Sequence, residues 1–333
     1  MNKILLERNK NNPLLIPDKS NWWESKAAFN CAILCYDNRI HMLYRAIGEY
    51  EKYISRIGYA SSTDGIWFDR SKDAAMAPEE EYEKYGIEDP RLVEIDRQIF
   101  LSYVILSDYV SEGPTASTAL ATTTDFKNYT RLGIITSKGS DNKDVVLFPE
   151  KTNLKSINAE EKGGNTNKYL FLHRPASWIG SKFGVDRPSI WLGEGNALTN
   201  FEKHTLLLKP EQEWEALKIG AGPPPLKTKD GWLLIYHGKD TQAVYRAGAA
   251  LLDLKDPTKV LGRTKRPILE PLEPYEKNGD VSNVVFPTGA CTIDGTLFVY
   301  YGAADKVCCL ATIDLETLLD YILDENQSIV RSI

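Results

Sequence analysis

The chain is short of the residues that mark metal, redox and membrane proteins. Its 333 residues include only four histidines and five cysteines. Cys31, Cys35, Cys291, Cys308 and Cys309 lie within or beside apolar runs, at no metal-ligand spacing and in odd number, so reduced, buried thiols are expected and no disulfide framework. No histidine stands at a ligand spacing from His237, and neither a metal nor an organic cofactor is expected. No apolar run approaches the roughly 20 residues that cross a bilayer. Charge breaks the segment Met1 to Arg8 too early for a secretory signal, which predicts a cytoplasmic protein away from membranes. No Ser/Gly/Pro-rich linker divides the sequence, so one domain over residues 1–333 is expected. A net charge of -6 and a pI near 5.5 argue against general affinity for nucleic acid, and a homo-oligomer stays open.

What the chain does have is a repeat. An apolar strand ending in a polar or aromatic residue, followed by a strand starting near Arg, Gly and Ala, recurs roughly every 60 residues, a period of radial or stacked folds. His41-Met42-Leu43-Tyr44-Arg45 precedes Ser55 to Ala60, Ile99 to Tyr103 precedes Ser117 to Ala121, and Lys168 to Arg174 precedes Pro188 to Leu192. Trp232 to Gly238 precedes Tyr245 to Leu251, and Leu297 to Gly302 precedes Val307 to Ala311. About five units with room for four short strands each predict an all-β, five-bladed β-propeller, with a β-sandwich as the alternative.

Asp64-Gly65, Asp230-Gly231 and Asp294-Gly295 sit at the edges of strand-like runs, where a tight hairpin needs residues that tolerate positive φ. Helical spacing with an acidic start appears from Asp314 to Leu323, giving a short C-terminal helix; Glu79 to Tyr85 is a weaker candidate.

Closed propellers bring residues at equal phase in successive repeats to one channel mouth. By phase the candidates are Asn30, Arg45, Arg56, Asp89, Arg91, Asp144, Arg174, Arg187, Lys218, His237, Arg246, Tyr301 and Asp305. In Glu88-Asp89-Pro90-Arg91 two acids and an arginine precede a strand, and Pro90 is expected to hold Asp89 extended. Asp89 is then a general acid, or one half of an ion pair with Arg91 that caps a blade. Lys218-Ile219-Gly220-Ala221-Gly222-Pro223-Pro224-Pro225 reads as a stiff loop carrying a lysine. With His237, Arg174 and Arg187 it would form a cationic cluster suited to phosphate, or else solvated surface charge. Tyr44, Tyr103, Tyr236, Tyr245, Tyr300 and Tyr301, with Trp22, Trp23, Trp178 and Trp214, supply aromatic faces for sugars, though most strand aromatics belong to cores.

Gly86-Ile-Glu-Asp-Pro-Arg91, His173-Arg-Pro, Lys218-Ile-Gly-Ala-Gly-Pro-Pro-Pro225, Trp232 to Gly238, Tyr245 to Asp253, Asn283 to Pro287 and Tyr300 to Asp305 together resemble glycoside hydrolase family 130, the β-mannoside phosphorylases and related mannosidases, from about Asn12 to Leu323. The resemblance implies a five-bladed propeller and an inverting phosphorolysis of terminal β-mannosides, giving α-mannose 1-phosphate. It implies that Asp89 is the general acid, acting through the mannose 3-hydroxyl, and that Asn30, Arg45, Arg56 and Asp305 hold mannose. Glu88, Arg91, Asp144 and Tyr301 complete the expected substrate set. Arg174, Arg187, Lys218 and His237, with Tyr245 and Arg246 nearby, match the phosphate positions, and which arginine faces phosphate is open.

The family's hydrolytic members replace this basic set with glutamates, so the resemblance implies phosphorolysis, with a β-mannoside oligosaccharide and inorganic phosphate as cosubstrates. β-1,2-mannosides are slightly preferred over β-1,4-mannosides. Segments 22–26, 108–115 and 178–183 are expected to shape the acceptor site. Two rival readings are a glycosidase using Asp144 or Asp305 as a second carboxylate, and a non-catalytic sugar-binding propeller.

Overall fold

A computed structural model describes residues 4–110, 113–137, 141–152 and 167–330. Its strands form five antiparallel sheets, four of them running in chain order from an inner strand outward. Blade 1 comprises Ala27–Tyr36, Arg39–Ile47, Ser55–Ser62 and Asp69–Arg70. Blade 2 comprises Ile87–Ile95, Gln98–Val110, Gly113–Thr123 and Thr130–Ile134, and blade 3 Asn142–Leu147, Tyr169–Pro175, Ile190–Gly195 and Lys203–Leu208. Blade 4 begins with Lys218–Ala221 and continues through Trp232–Lys239, Tyr245–Leu252 and Val260–Arg263, with Leu226–Lys227 also paired to Trp232–Lys239. Blade 5 has Val285–Ile293, Thr296–Ala303 and Val307–Asp314. Its outer strand is Glu7–Arg8, from the start of the chain, pairing with Ala311 and Thr312.

The ring closes because alternate residues of each strand bury against opposite neighbours. Met42 and Tyr44 pack with Tyr300 and Leu310 across blades 1 and 5, whereas Leu43 and Ile57 pack with Leu92 and Leu101 across blades 1 and 2. Val93 meets Val145 and Leu147 between blades 2 and 3. Leu172 meets Leu234 between blades 3 and 4, and Ile235 meets Val299 between blades 4 and 5.

A second device recurs with the blades. Before the inner strand a short turn ends in a fully buried glutamate, which the tyrosine hydroxyl of the next strand and an arginine of the outer strand both address. Tyr44 donates to Glu24 at 2.8 Å with Arg70 at 3.0 Å, and Tyr103 donates to Glu83 at 2.7 Å with Arg131 at 2.9 Å. Tyr236 donates to Glu215 at 3.2 Å with Arg263 at 2.7 Å, and Tyr301 donates to Glu276 at 2.8 Å with Arg8 at 2.8 Å. A buried charge partnered on both sides is tolerable, and stripping away the arginine costs ~3–5 kcal/mol. These tyrosines therefore belong to the blade interiors. Tyr301 is a core residue and not a substrate contact; Tyr300, also core, donates to the Gly65 carbonyl at 2.8 Å.

The C-terminal helix runs Leu315–Val330, longer than expected, with Asp314 accepting from the Thr317 amide at 2.8 Å. It lays Leu318, Leu319 and Ile322 on the core between blades 4 and 5. The segment Glu79 to Tyr85 is a single tight turn over Glu81–Glu83. Gly65 and Gly295 do take positive φ, of 75° and 79°. Gly231 does not; there a Cβ would collide with the Leu252 carbonyl, so the demand is for space.

Candidate active site

Three inner strands carry a bulge at one phase, and the residue at each bulge is left-handed. Register shifts fall between Phe29 and Ala32, Glu88 and Arg91, and Lys143 and Val146. Asn30, Asp89 and Asp144 sit in them with φ of 49°, 47° and 58°. The expectation of an extended Asp89 is corrected: Pro90 disfavours only the right-handed helical region, and the bulge takes the left-handed one. Such backbones cost ~1–3 kcal/mol each and persist where surroundings over-determine them; Asn and Asp tolerate them best. In blade 4 Gly220 pairs with His237, and a Cβ there would run into the Asp144 carboxylate and the His237 ring.

The second strands contribute the residue after the buried tyrosine position. Arg45 in blade 1, Arg174 in blade 3 and His237 in blade 4 are all buried at this phase. Bulge residues and second-strand residues thus converge, in two halves of opposite sign.

The acidic half gathers around Arg45. Its guanidinium pairs with Glu88, reaches Asp89 Oδ1 at 3.4 Å and donates from Nε to Ser55 Oγ at 3.0 Å. Asn30 donates to the same Asp89 oxygen at 2.8 Å. Burial, then Asp89, Asp280 and Glu88, push the Asp305 carboxyl up to about 7 against the opposing pull of Arg45. Asp280 in turn accepts from Tyr53, whose ring lies beside Arg45. Arg91 closes the floor, donating to the Gly222 carbonyl at 2.6 Å and to the Asp89 and Pro90 carbonyls at 3.0 Å each, with one Nη buried and unpartnered.

The cationic half gathers around Asp144, where Arg174 Nε donates to Oδ2 at 2.7 Å and His237 Nε2 lies 3.6 Å from the same oxygen. Burial alone would raise the Asp144 pKa, but Arg174, His237 and Arg91 hold it well below the usual carboxylate range. Burial first, and Arg174 and Lys218 after it, drop His237 to about 3, against Asp144. It is therefore neutral at pH 7, and its Nδ1 is buried without a partner. Burial and Arg174, reinforced by Lys239 and Lys143, bring Lys218 down to about 7 against Asp144. Lys218 and Lys239 stand opposite each other across the strands, their ammonium groups 5.6 and 4.9 Å from the Tyr245 ring centre. Tyr245 joins the halves: burial raises its pKa first, and Arg174, Asp144, Asp305 and Asp89 all act on it.

The expected residues thus divide. Asp89, Asn30, Arg45, Glu88, Arg91, Asp144, Asp305, Arg174, Lys218, His237 and Tyr245 form one connected cluster. Arg56 and Arg246 occupy the strand face opposite Ser55 and Tyr245 and turn away from it. Arg56 stacks on Trp22 at 4.6 Å and donates to the Ile54 carbonyl. Arg246 pairs with Asp240 at 2.6 Å and lines a surface cleft of about 750 Å³ whose other walls include Trp214 and Glu270 and none of the clustered residues. Arg187 is exposed beyond the Gly180–Val185 bridge, so Arg174 is the buried arginine of the expected pair. Of the expected acceptor segments, residues 111–112 lie outside the described residues.

Lys143, Lys239, Tyr53 and Asp280 were not anticipated. Lys239 was accessible to reasoning, since it shares a strand face with His237 two residues earlier, and Lys143 lies opposite Arg174. Asp280 sits in a loop with no periodicity to mark it.

Comparison with known proteins gives this geometry a context. A family model described as β-1,4-mannooligosaccharide phosphorylase matches residues 8–324. The chain is 42% identical to a 1,2-β-oligomannan phosphorylase of Thermoanaerobacter sp. (strain X514), over 95% of this chain and 99% of that one. It is 38% identical to a β-1,2-mannobiose phosphorylase of the same organism, over 93% and 98%. Among solved structures, the β-1,2-mannobiose phosphorylase from Listeria innocua in complex with β-1,2-mannobiose superposes with a TM-score of 0.81 and 30% identity, covering 95% of this chain and 99% of that one. A match of this length, with relatives this similar, places the chain in one family: it belongs to glycoside hydrolase family 130.

Proposed function

We propose that this protein is an inverting β-mannoside phosphorylase, acting as one catalytic propeller in the cytoplasm. It transfers a terminal β-mannosyl group to inorganic phosphate and releases α-mannose 1-phosphate. The observation that carries the reading is the sign of the half facing the acids: Arg174, Lys218 and His237 surround a space whose carboxylate, Asp144, is committed to Arg174. An inverting hydrolase needs a free carboxylate there, ~6.5–9.5 Å from the acid, to deprotonate water. Phosphate is already an anionic nucleophile and needs only cations and donors to hold it. Asp305, the other carboxylate a hydrolase could use, sits on the acid's own side with Asp89 and Arg45.

In this scheme the mannosyl unit rests on Asn30, Arg45 and Asp305, while Arg174, Lys218 and His237 line the phosphate site. A phosphate oxygen bonds to the anomeric carbon as the glycosidic C–O bond breaks on the opposite face. Asp89 gives its proton to the mannose 3-hydroxyl, which passes its own to the departing oxygen. A β-1,2 linkage is the substrate preferred here, because the 42% and 38% identical relatives bear that specificity in their names. The test is incubation with β-1,2- and β-1,4-mannobiose with and without phosphate. Mannose 1-phosphate should form only with phosphate, and faster from the β-1,2 sugar; equal release of mannose in phosphate-free buffer would mean hydrolysis.

A further inference from the structure

Two thiols meet at the end of the channel away from the chemistry. Cys35 lies near the end of blade 1's inner strand Ala27–Tyr36, and Cys291 lies in blade 5's inner strand Val285–Ile293. At strand rise, Cys35 is ~17 Å along the chain from Asn30. Both cysteines line a cup of about 390 Å³ to which all five blades contribute, Leu92, Pro149 and Pro224 among its walls. Cys35 is exposed, Cys291 is buried, and the two thiols are hydrogen-bonded to each other. A peroxide entering the cup meets the exposed Cys35 first, which makes it the attacking thiol, and the buried Cys291 beside it the resolving one.

We propose that Cys35 and Cys291 form an oxidisable dithiol, a modification site for small hydroperoxides that enter the cup. The Cys35 thiolate attacks the distal peroxide oxygen; the O–O bond breaks, the alcohol or water departs with a proton, and Cys35 becomes a sulfenic acid. The Cys291 sulfur then bonds to the Cys35 sulfur, and the displaced hydroxide leaves as water with the Cys291 proton. Two thiols lose two electrons and the peroxide gains them. The disulfide joins the inner strands of the first and last blades, the seam otherwise held by Glu7–Arg8 and the core between blades 1 and 5. Closing so long a loop restricts the unfolded chain and stabilises the ring. Cys31 and Cys308, a second thiol pair at this seam, are both fully buried and stay reduced, which makes them an internal control.

The test treats the full chain with hydrogen peroxide, alkylates remaining thiols after denaturation and maps peptides without reduction. The expected result is a cross-linked Cys35–Cys291 peptide, a thermal midpoint raised by several degrees, and reversal of both by dithiothreitol. Neither change should occur in Cys35→Ser, an exposed and tolerable substitution, or in Cys291→Ser. Recovery of Cys35 as sulfinic acid with Cys291 free, of a link between two chains, or of both thiols fully alkylated would overturn the proposal.

Discussion

Replacing Lys218 by methionine keeps the bulk of the side chain and removes its charge, which makes it a quantitative probe of the cationic half. In the empty site the ammonium is disfavoured, its pKa brought from 10.5 to about 7 by burial, with Arg174, Lys239 and Lys143 outweighing Asp144. That drop corresponds to at most ~5 kcal/mol of unfavourable charge, and the partial solvent access of the side chain trims it. Phosphate reverses the balance, because a charge-assisted hydrogen bond contributes ~1.5–3 kcal/mol. Lys218→Met should therefore raise KM for phosphate ~10- to 150-fold while KM for the mannoside changes little, measured as mannose 1-phosphate release against phosphate at saturating mannobiose. The unliganded variant should also melt higher than the parent. A folded-state pKa held below its unfolded value means that the unfolded chain binds more protons between pH 7 and 10.5. The parent's penalty is thus complete below pH 7 and fades towards 10.5, and the variant's advantage should fade with it. An unchanged phosphate KM beside a weakened mannoside KM would refute the assignment of this half.

Asp89→Asn should lower kcat by ~100- to 10,000-fold with phosphate affinity kept, read from steady-state rates and phosphate-induced thermal shifts. Tyr301→Phe should cost ~1–3 kcal/mol in urea unfolding, since it leaves Glu276 short of a buried donor, and should leave both KM values alone. Gly220→Ala drives a methyl group towards Asp144 and His237, so phosphate use should fall at least ~10-fold, the size of one lost charge-assisted contact. In the parent, phosphate KM should climb as pH rises past about 7, where Lys218 loses its proton; a flat profile from pH 6 to 9 would contradict its role.

The blades were legible because their signal is redundant: period-2 burial, turn pairs and a 60-residue repeat all agree. The site was legible where it follows that period. Arg45, Arg174 and His237 each follow the buried position of the second strand. Arg56 and Arg246 looked equivalent by repeat, yet one residue of phase puts a side chain on the other face, and Ser55 and Tyr245 occupy the inward phase. Tyr301 misled for the complementary reason. Its partner Glu276 lies 25 residues earlier, and in the other blades the separation is 20, 20 and 21. That regular glutamate-to-tyrosine spacing is a sequence signal for core tyrosines. The left-handed bulges at Asn30, Asp89 and Asp144 could not be read, because their backbone is imposed by pairing with the second strands.

Blade 3 departs from the others in a way that bears on the chemistry. Where they place a tyrosine, it has His173, whose Nδ1 meets the Asn142 carboxamide at 3.0 Å and whose Nε2 meets His204 Nδ1 at 3.1 Å. Burial, then His204, hold His173 well below its ordinary pKa, so this substitute for the glutamate triad is uncharged. Asn142 and His173 immediately flank the groups that matter, Asp144 two residues on and Arg174 the next residue. A buried carboxylate at this point would compete with phosphate for Arg174, as Glu88 competes with Asp89 for Arg45 on the other side. A neutral anchor fixes the strand without adding a further carboxylate beside Arg174, on which Asp144 and, more weakly, Asp141 already act, and so keeps the charge balance that an incoming phosphate dianion requires.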